Sequence, residues 1–192
     1  MKAYLVLLRG INVGGRNPVP MARLRALLEQ LGYSDVSSYI ASGNVLLRSS
    51  KAPAAVKAEI EAALPETFDL HSERLEVLVL TRDQLRAVIA EKPQGFGERP
   101  DRYLSDAVFL IGIDAGQAMK VFDPRPGVDE VWPGNGVIYS QRLGAERTKS
   151  RLGKIVGTPA YKSMTIRSWS TTTKLMDLLE RAEADLGERL SR

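Results

Sequence analysis

The chain has 192 residues, 44% of them hydrophobic and 26% charged, with a formal net charge of +4, the balance of an ordinary globule. It has no cysteine and one histidine, His71, which excludes disulfides, thiolate catalysis and Cys- or His-cluster metal sites within one chain. No apolar run approaches the roughly 20 residues that span a bilayer, and the first one runs into Arg9 and a Gly loop with no small-residue cleavage site. A cytoplasmic protein is expected, with no membrane segment, metal or cofactor.

The stretch YLVLLRGINVGG (4–15) reads as a buried strand over 2–8 followed by a loop rich in Gly and Asn. Next comes MARLRALLEQL (21–31), which places Met21, Leu24, Leu27, Leu28 and Leu31 on one helical face, with Gly32 as a stop. Residues 35–40 and 45–48 read as strands joined by an Ala-Ser-Gly-Asn turn. Pro53 opens a helix through about Leu64, and LEVLVL (75–80) is a strand. Thr81 and Gln84 form a capping box at the start of a short helix that stops before Pro93, and PQGFGERPDRY (93–103) is a linker or surface loop.

The second half repeats this order with shorter pieces. Residues 107–112 read as a strand, and Asp114 caps a short helix ending near Phe122. Strands over 128–132 and 137–141 flank Pro133-Gly134-Asn135-Gly136, a hairpin signal. Thr148 is expected to cap a helix carrying Leu152, Ile155 and Val156. A strand over 162–166 and a final helix from about Thr171 follow. The reading is an α+β fold of two tandem ferredoxin-like βαββαβ units, 1–80 and 104–192, with a bridging helix and linker over 81–103 and a C-terminal helix.

This topology gathers loops. In the first unit, the loop after the first strand, the turn between the second and third strands and the entry to the fourth strand fall at one end of the sheet. Arg9, Gly10, Asn12, Gly14 and Gly15 would then stand beside Ser42, Gly43 and Asn44, with His71 nearby. Backbone N–H groups of such Gly loops cradle anions; equally, turns alone require Gly and Asn. The loop is neither a Walker A loop nor a dinucleotide fingerprint.

Charge is uneven. Residues 140–174 hold eight basic residues against Glu146 alone, a net +7, so the rest of the chain is net acidic. Here the topology brings Lys149, Ser150 and Arg151 to the same end as Arg167, Trp169 and Thr171. Cations, hydroxyls and two helix starts would make an oxyanion or phosphate site, with Trp169 stacking on a base. The alternatives are a solvated cationic face, a Trp169 that anchors the last helix and Ser or Thr residues that merely cap it.

LLRGINVGG (7–15), VPMARLRALLEQLGY (19–33) and YIASGNVLL (39–47) closely resemble the domain of unknown function 1697 family. TKSRL (148–152) and TIRSWSTTTKL (165–175) look like its later motifs, with Ser168 and Ser170 where Asn is usual. The resemblance implies a bacterial α+β protein with two ferredoxin-like parts. It carries no activity and no catalytic residues.

Three functions compete. The first is an anion-binding protein whose ligand is a nucleotide or nucleic acid, held by the basic stretch, although no strand carries the aromatic pattern of an RNA-recognition sheet. The second is an enzyme acting on a small phosphorylated or carboxylated substrate, with Arg9 or Arg16 pairing the anion and His71 as acid or base. The third is a non-catalytic interaction module. The absence of a catalytic motif leans the reading away from an enzyme.

Overall fold

The computed structural model describes residues 1–15, 17–70 and 75–190. The chain is α+β, with two four-stranded antiparallel sheets and several helices. It forms two compact units: residues 1–85 with 175–192, and residues 86–174. The C-terminal helix from Leu175 onward therefore counts with the first unit, where the sequence reading attached it to the second.

In unit 1, β1 (Lys2–Leu8), α1 (Met21–Gln30), β2 (Ser34–Tyr39), β3 (Asn44–Ser49), α2 (Pro53–Thr67) and β4 (Val77–Thr81) follow in order. The sheet order is β2-β3-β1-β4. β1 and β3 are the inner strands and are buried along almost their whole length, β1 with apolar side chains on both of its faces and β3 with Val45, Leu46 and Leu47 at its centre. One face of the sheet (Tyr4, Val6, Leu8, Val45, Leu47) packs with Leu24 and Leu28 of α1 and Val56, Ile60 and Leu64 of α2. Those helix residues recur at three- and four-residue spacing, as one buried stripe requires. α1 stops as expected: Gly32 N–H donates to the Glu29 carbonyl at 2.9 Å and Tyr33 N–H to that of Leu28 at 3.1 Å. α2 runs three residues past Leu64, to Thr67, with Pro65 inside it.

In unit 2, α3 (Arg82–Ala90) completes its course and is followed by β5 (Tyr103–Leu110), α4 (Ala115–Met119), β6 (Asp129–Pro133), β7 (Val137–Leu143) and β8 (Met164–Ser168). α5 (Trp169–Leu190) begins directly after β8. The second sheet has the order β6-β7-β5-β8, so its strands are arranged as in the first. Asp114 caps α4 as expected, accepting from Gln117 N–H at 2.7 Å while its own N–H donates to the Gln117 side chain. On one face of this sheet, Val108, Leu110, Ile138 and Met164 form a core with Ala118 and Ile155. On the other lie Phe96, Tyr139 and Trp169, with Phe96 edge-to-face to both partners.

Three expectations change. No α-helix starts at Thr148. Three short 3-10 helices cover Gly144–Lys149, Leu152–Gly157 and Pro159–Ser163, so Thr148 lies near the end of the first. Gly153, Gly157 and Pro159 deny this segment a longer run. β5 begins at Tyr103 rather than 107, which takes in residues that read as loop. The last helix begins at Trp169, two residues before Thr171.

Candidate functional site

The first candidate group stands at one end of the unit 1 sheet. Leu8 N–H donates to the Gly43 carbonyl at 2.8 Å, and Arg9 N–H to that of Glu76 at 3.0 Å. The loop after β1 and the β2–β3 turn therefore meet, and Arg9, Gly10, Asn12, Gly14 and Gly15 share an end with Ser42, Gly43 and Asn44. Gly43 is required there: its φ is +77°, and a Cβ would come to 3.0 Å from both Leu8 Cβ and Ile11 Cδ1. The asparagines spend their amides within these loops. Asn12 Nδ2 donates to the Val19 carbonyl (2.9 Å) and the Ala41 carbonyl (2.8 Å), while its Oδ1 accepts Val19 N–H (2.8 Å). Asn44 Nδ2 donates to the Tyr39 carbonyl (3.1 Å) and to Ser42 Oγ (2.8 Å). Gly10, Gly14 and Gly15 are exposed. His71 and Arg16 lie outside the described residues.

The second candidate group has two parts. Thr148–Arg151 lies against Asp123, Arg125 and Asp129. Asp129 Oδ2 accepts Arg125 N–H at 3.0 Å and Arg151 N–H at 2.8 Å, and the Arg125 guanidinium donates to the Lys149 carbonyl at 3.2 Å. Ser150 Oγ accepts Leu152 N–H. Burial pushes the Asp129 carboxyl up, but the Ser150 hydroxyl, those two N–H groups and the Arg142 charge more than offset this and hold it below the usual range. Lys149 pairs with Glu146 at 2.7 Å, and Arg151 and Lys154 both pair with Asp123. The +7 of the linear stretch is thus partly answered by carboxylates from before it in sequence.

Arg167, Trp169 and Thr171 sit at the β8–α5 corner. Arg167 is 8% exposed, and its guanidinium donates to Thr165 Oγ1 at 2.9 Å and to the Ile166 carbonyl at 2.8 Å. Burial lowers its pKa to about 10. Trp169 is also 8% exposed, its ring 5.0 Å from that of Phe96. Ser168 Oγ caps α5, accepting Thr171 N–H at 3.2 Å, and is hydrogen-bonded to the Ser170 and Thr171 hydroxyls.

At this corner unit 2 has a cavity of about 540 Å³. One wall is Tyr103–Asp106 of β5, another is Ser168, Trp169, Ser170 and Thr173, and Arg142 of β7 closes it with Gly97 and Pro100. Lys149, Ser150 and Arg151 are not part of its lining. Asp106 and Arg142 are diagonal neighbours across β5 and β7, their charged atoms 3.3 Å apart. Burial raises the Asp106 carboxyl above its ordinary value, against the charge and hydrogen bond of Arg142. Both residues also line a second cavity of about 280 Å³ with Val108, Phe122, Ile155 and Ile166. β8 ends opposite Asp106, at Ser168, so Tyr103, Leu104 and Ser105 pair with β7 and have no β8 residue across from them.

The model of the family described as "Protein of unknown function (DUF1697)" matches residues 1–139. The chain belongs to the DUF1697 family. Among solved structures it is similar to a conserved bacterial protein, SP0830 from Streptococcus pneumoniae, at 28% identity and a TM-score of 0.75, covering 92% of this chain and 98% of that one. No curated protein matches it. The DUF1697 match takes in β5 and the start of β7; Arg142, Ser168 and Trp169 lie beyond it.

Neither Asp106 nor Arg142 stands out as a site residue in the sequence of this DUF1697 protein. The patterning predicts a fifth strand from 107 and a seventh to 141, so each of the pair falls one residue outside a predicted strand. The available signal was a strand extended back through Tyr103-Leu104-Ser105-Asp106. Among the described residues, no group of three His, Cys, Asp or Glu side chains is placed to hold a metal ion, and no helix is long and apolar enough to cross a membrane.

Proposed function

We propose that this protein is a cytoplasmic, non-catalytic binding protein for a small polar ligand seated in the 540 Å³ cavity of unit 2. The single observation that carries this reading is the Asp106–Arg142 pair in the cavity wall. Arg142 donates to a phosphate, carboxylate or carbonyl oxygen, and Asp106 accepts an N–H. The cavity lies within the roughly 300–1,000 Å³ range of small-molecule clefts. A nucleotide, with phosphate oxygens and an amino-bearing base, offers both groups. The pairing of Lys149, Arg151 and Lys154 and the burial of Arg167 leave the basic stretch a poorer face for a long polyanion.

A catalytic reading lacks an activated nucleophile in this cavity. Ser168 Oγ bonds to hydroxyls and a backbone N–H, with no base among its partners. The same proposal takes the chain as two tandem ferredoxin-like units. The support is that both sheets order their second, third, first and fourth strands side by side, all antiparallel.

The test is thermal unfolding against nucleotides, amino acids, sugar phosphates and short oligonucleotides, for the wild type and Arg142→Ala. A ligand at about 100 times its Kd adds about 2.7 kcal/mol, several degrees for a chain of this size. The expected result is a shift from one small-ligand class that Arg142→Ala abolishes. A shift that survives Arg142→Ala, or one given only by oligonucleotides and erased by salt, overturns the proposal.

A further inference from the structure

The cavity has a direction, set by the ladder of β5. Gly144 N–H donates to the Arg102 carbonyl and Leu110 N–H to the Gly136 carbonyl, so even-numbered residues of this strand turn their backbone groups toward β7. Ile111 N–H donates to the Ser163 carbonyl, so odd-numbered residues turn theirs toward β8. Tyr103 and Ser105 continue that odd series, but the chain leaves β8 at Ser168 and winds into α5. The Tyr103 N–H is taken by the Arg99 carbonyl at 2.8 Å, and the Tyr103 carbonyl faces the line that β8 would have followed. The 540 Å³ cavity lies along that line.

We infer that the cavity takes a short extended peptide segment, laid beside Tyr103–Ser105 of β5 where β8 stops. This rests on the proposal that the cavity binds a ligand at Asp106 and Arg142. A strand rises about 3.4 Å per residue, so a segment opposite these three residues spans about 10 Å. Its backbone offers an N–H to the Tyr103 carbonyl. By the same alternation a carbonyl and a second N–H meet the N–H and carbonyl of Ser105, and a neutral, dipolar chain suits a neighbouring wall in which the charges of Asp106 and Arg142 cancel. Leu104, 40% exposed, and Pro100 give one of its side chains an apolar seat. The chemistry recognised is that of the peptide backbone, with a modest side-chain preference.

Strand pairing has a signature that other modes of peptide capture lack. Successive residues of a paired strand turn their N–H groups alternately toward and away from the partner. The experiment is calorimetric titration of the full chain with acetylated, amidated tetrapeptides of alanine carrying one leucine, each methylated at a single backbone nitrogen. Methylation at alternate positions is expected to weaken binding about tenfold, the worth of one hydrogen bond, and at the intervening positions to leave it unchanged. Arg142→Ala weakens every peptide. Binding indifferent to the position of methylation overturns the strand-pairing inference. So does a nucleotide or amino acid that binds through Arg142 while no peptide does, an outcome that leaves the small-ligand proposal standing. No response to any of these compounds removes both.

Discussion

Gly97 lies so close to the Trp169 indole that a Cβ on Gly97 would stand 2.2 Å from Cδ1 and 2.4 Å from Nε1. The φ of Gly97 is +73°, a region that costs other residues about 1–2 kcal/mol. Trp169 has little room to yield, since its ring packs edge-to-face on Phe96 and Tyr139. Gly97→Ala therefore destabilises by about 2–4 kcal/mol, strain and overpacking together. Gly95, at φ +79° with nothing within 4 Å, is the control: Gly95→Ala costs only about 1 kcal/mol. Urea unfolding of the two variants checks the difference.

Asn12 joins three segments through one amide group, bonding the N–H and carbonyl of Val19 and the carbonyl of Ala41. Its φ of +54° is one that Asn tolerates better than most residues. Asn12→Ala loses all three bonds and costs about 2–3 kcal/mol, at roughly 1 kcal/mol each. Asn12→Asp keeps the bond from Val19 N–H but sets a carboxylate oxygen against the Val19 and Ala41 carbonyls, so it is at least as destabilising as Asn12→Ala. Midpoints of chemical denaturation rank the three proteins.

Ile40 is a β-branched residue at φ +50° and is 53% exposed, so it bears strain without the return of burial. Ile40→Asn is expected to stabilise the protein by about 1 kcal/mol. Unchanged or lower stability in Ile40→Asn means that the packing of the half of Ile40 that is covered offsets its backbone strain.

Asp129 sets part of the acid limb of stability. Its carboxyl is held below the ordinary value in the folded chain, so the unfolded chain takes up the proton first as pH falls. The stability it contributes is present above about pH 3.9 and is lost as pH drops through the folded value. Asp129→Asn costs about 2–3 kcal/mol at neutral pH, the worth of hydrogen bonds to a charged acceptor, and has a flatter profile below pH 4. Asp106 acts with the opposite sign. Its folded carboxyl is raised by burial, so its contribution is largest below the ordinary carboxylate value and falls as pH rises through the folded one. Denaturation midpoints across pH 3–7 for Asp129→Asn and Asp106→Asn are expected to depart from wild type in opposite directions in their pH slopes.

The first unit was more legible than the second because its periodicities are long and unbroken. Leu24, Leu27 and Leu28 on α1 and the apolar runs of β1 and β3 need no tertiary information to be read. The segment after β7 misled because Leu152, Ile155 and Val156 have helical spacing, yet Asp129 fixes Arg151 from outside the segment and glycines interrupt it. At the candidate site, the meeting of Asn12 with the β2–β3 turn follows from strand order alone. The Asp106–Arg142 pair does not, because its members are 36 positions apart in sequence and meet only through the register of β5 on β7.

By itself the sequence determined most of the elements, the α+β class, the family and which turns must carry glycine. These depend on interactions between residues a few positions apart, which spacing records directly. Only the tertiary structure decided what the charges do. Asp106 and Asp123 lie before the basic stretch, and chain folding sets them against Arg142, Arg151 and Lys154. A Coulomb interaction depends on distance through space, and linear charge counting has no access to it.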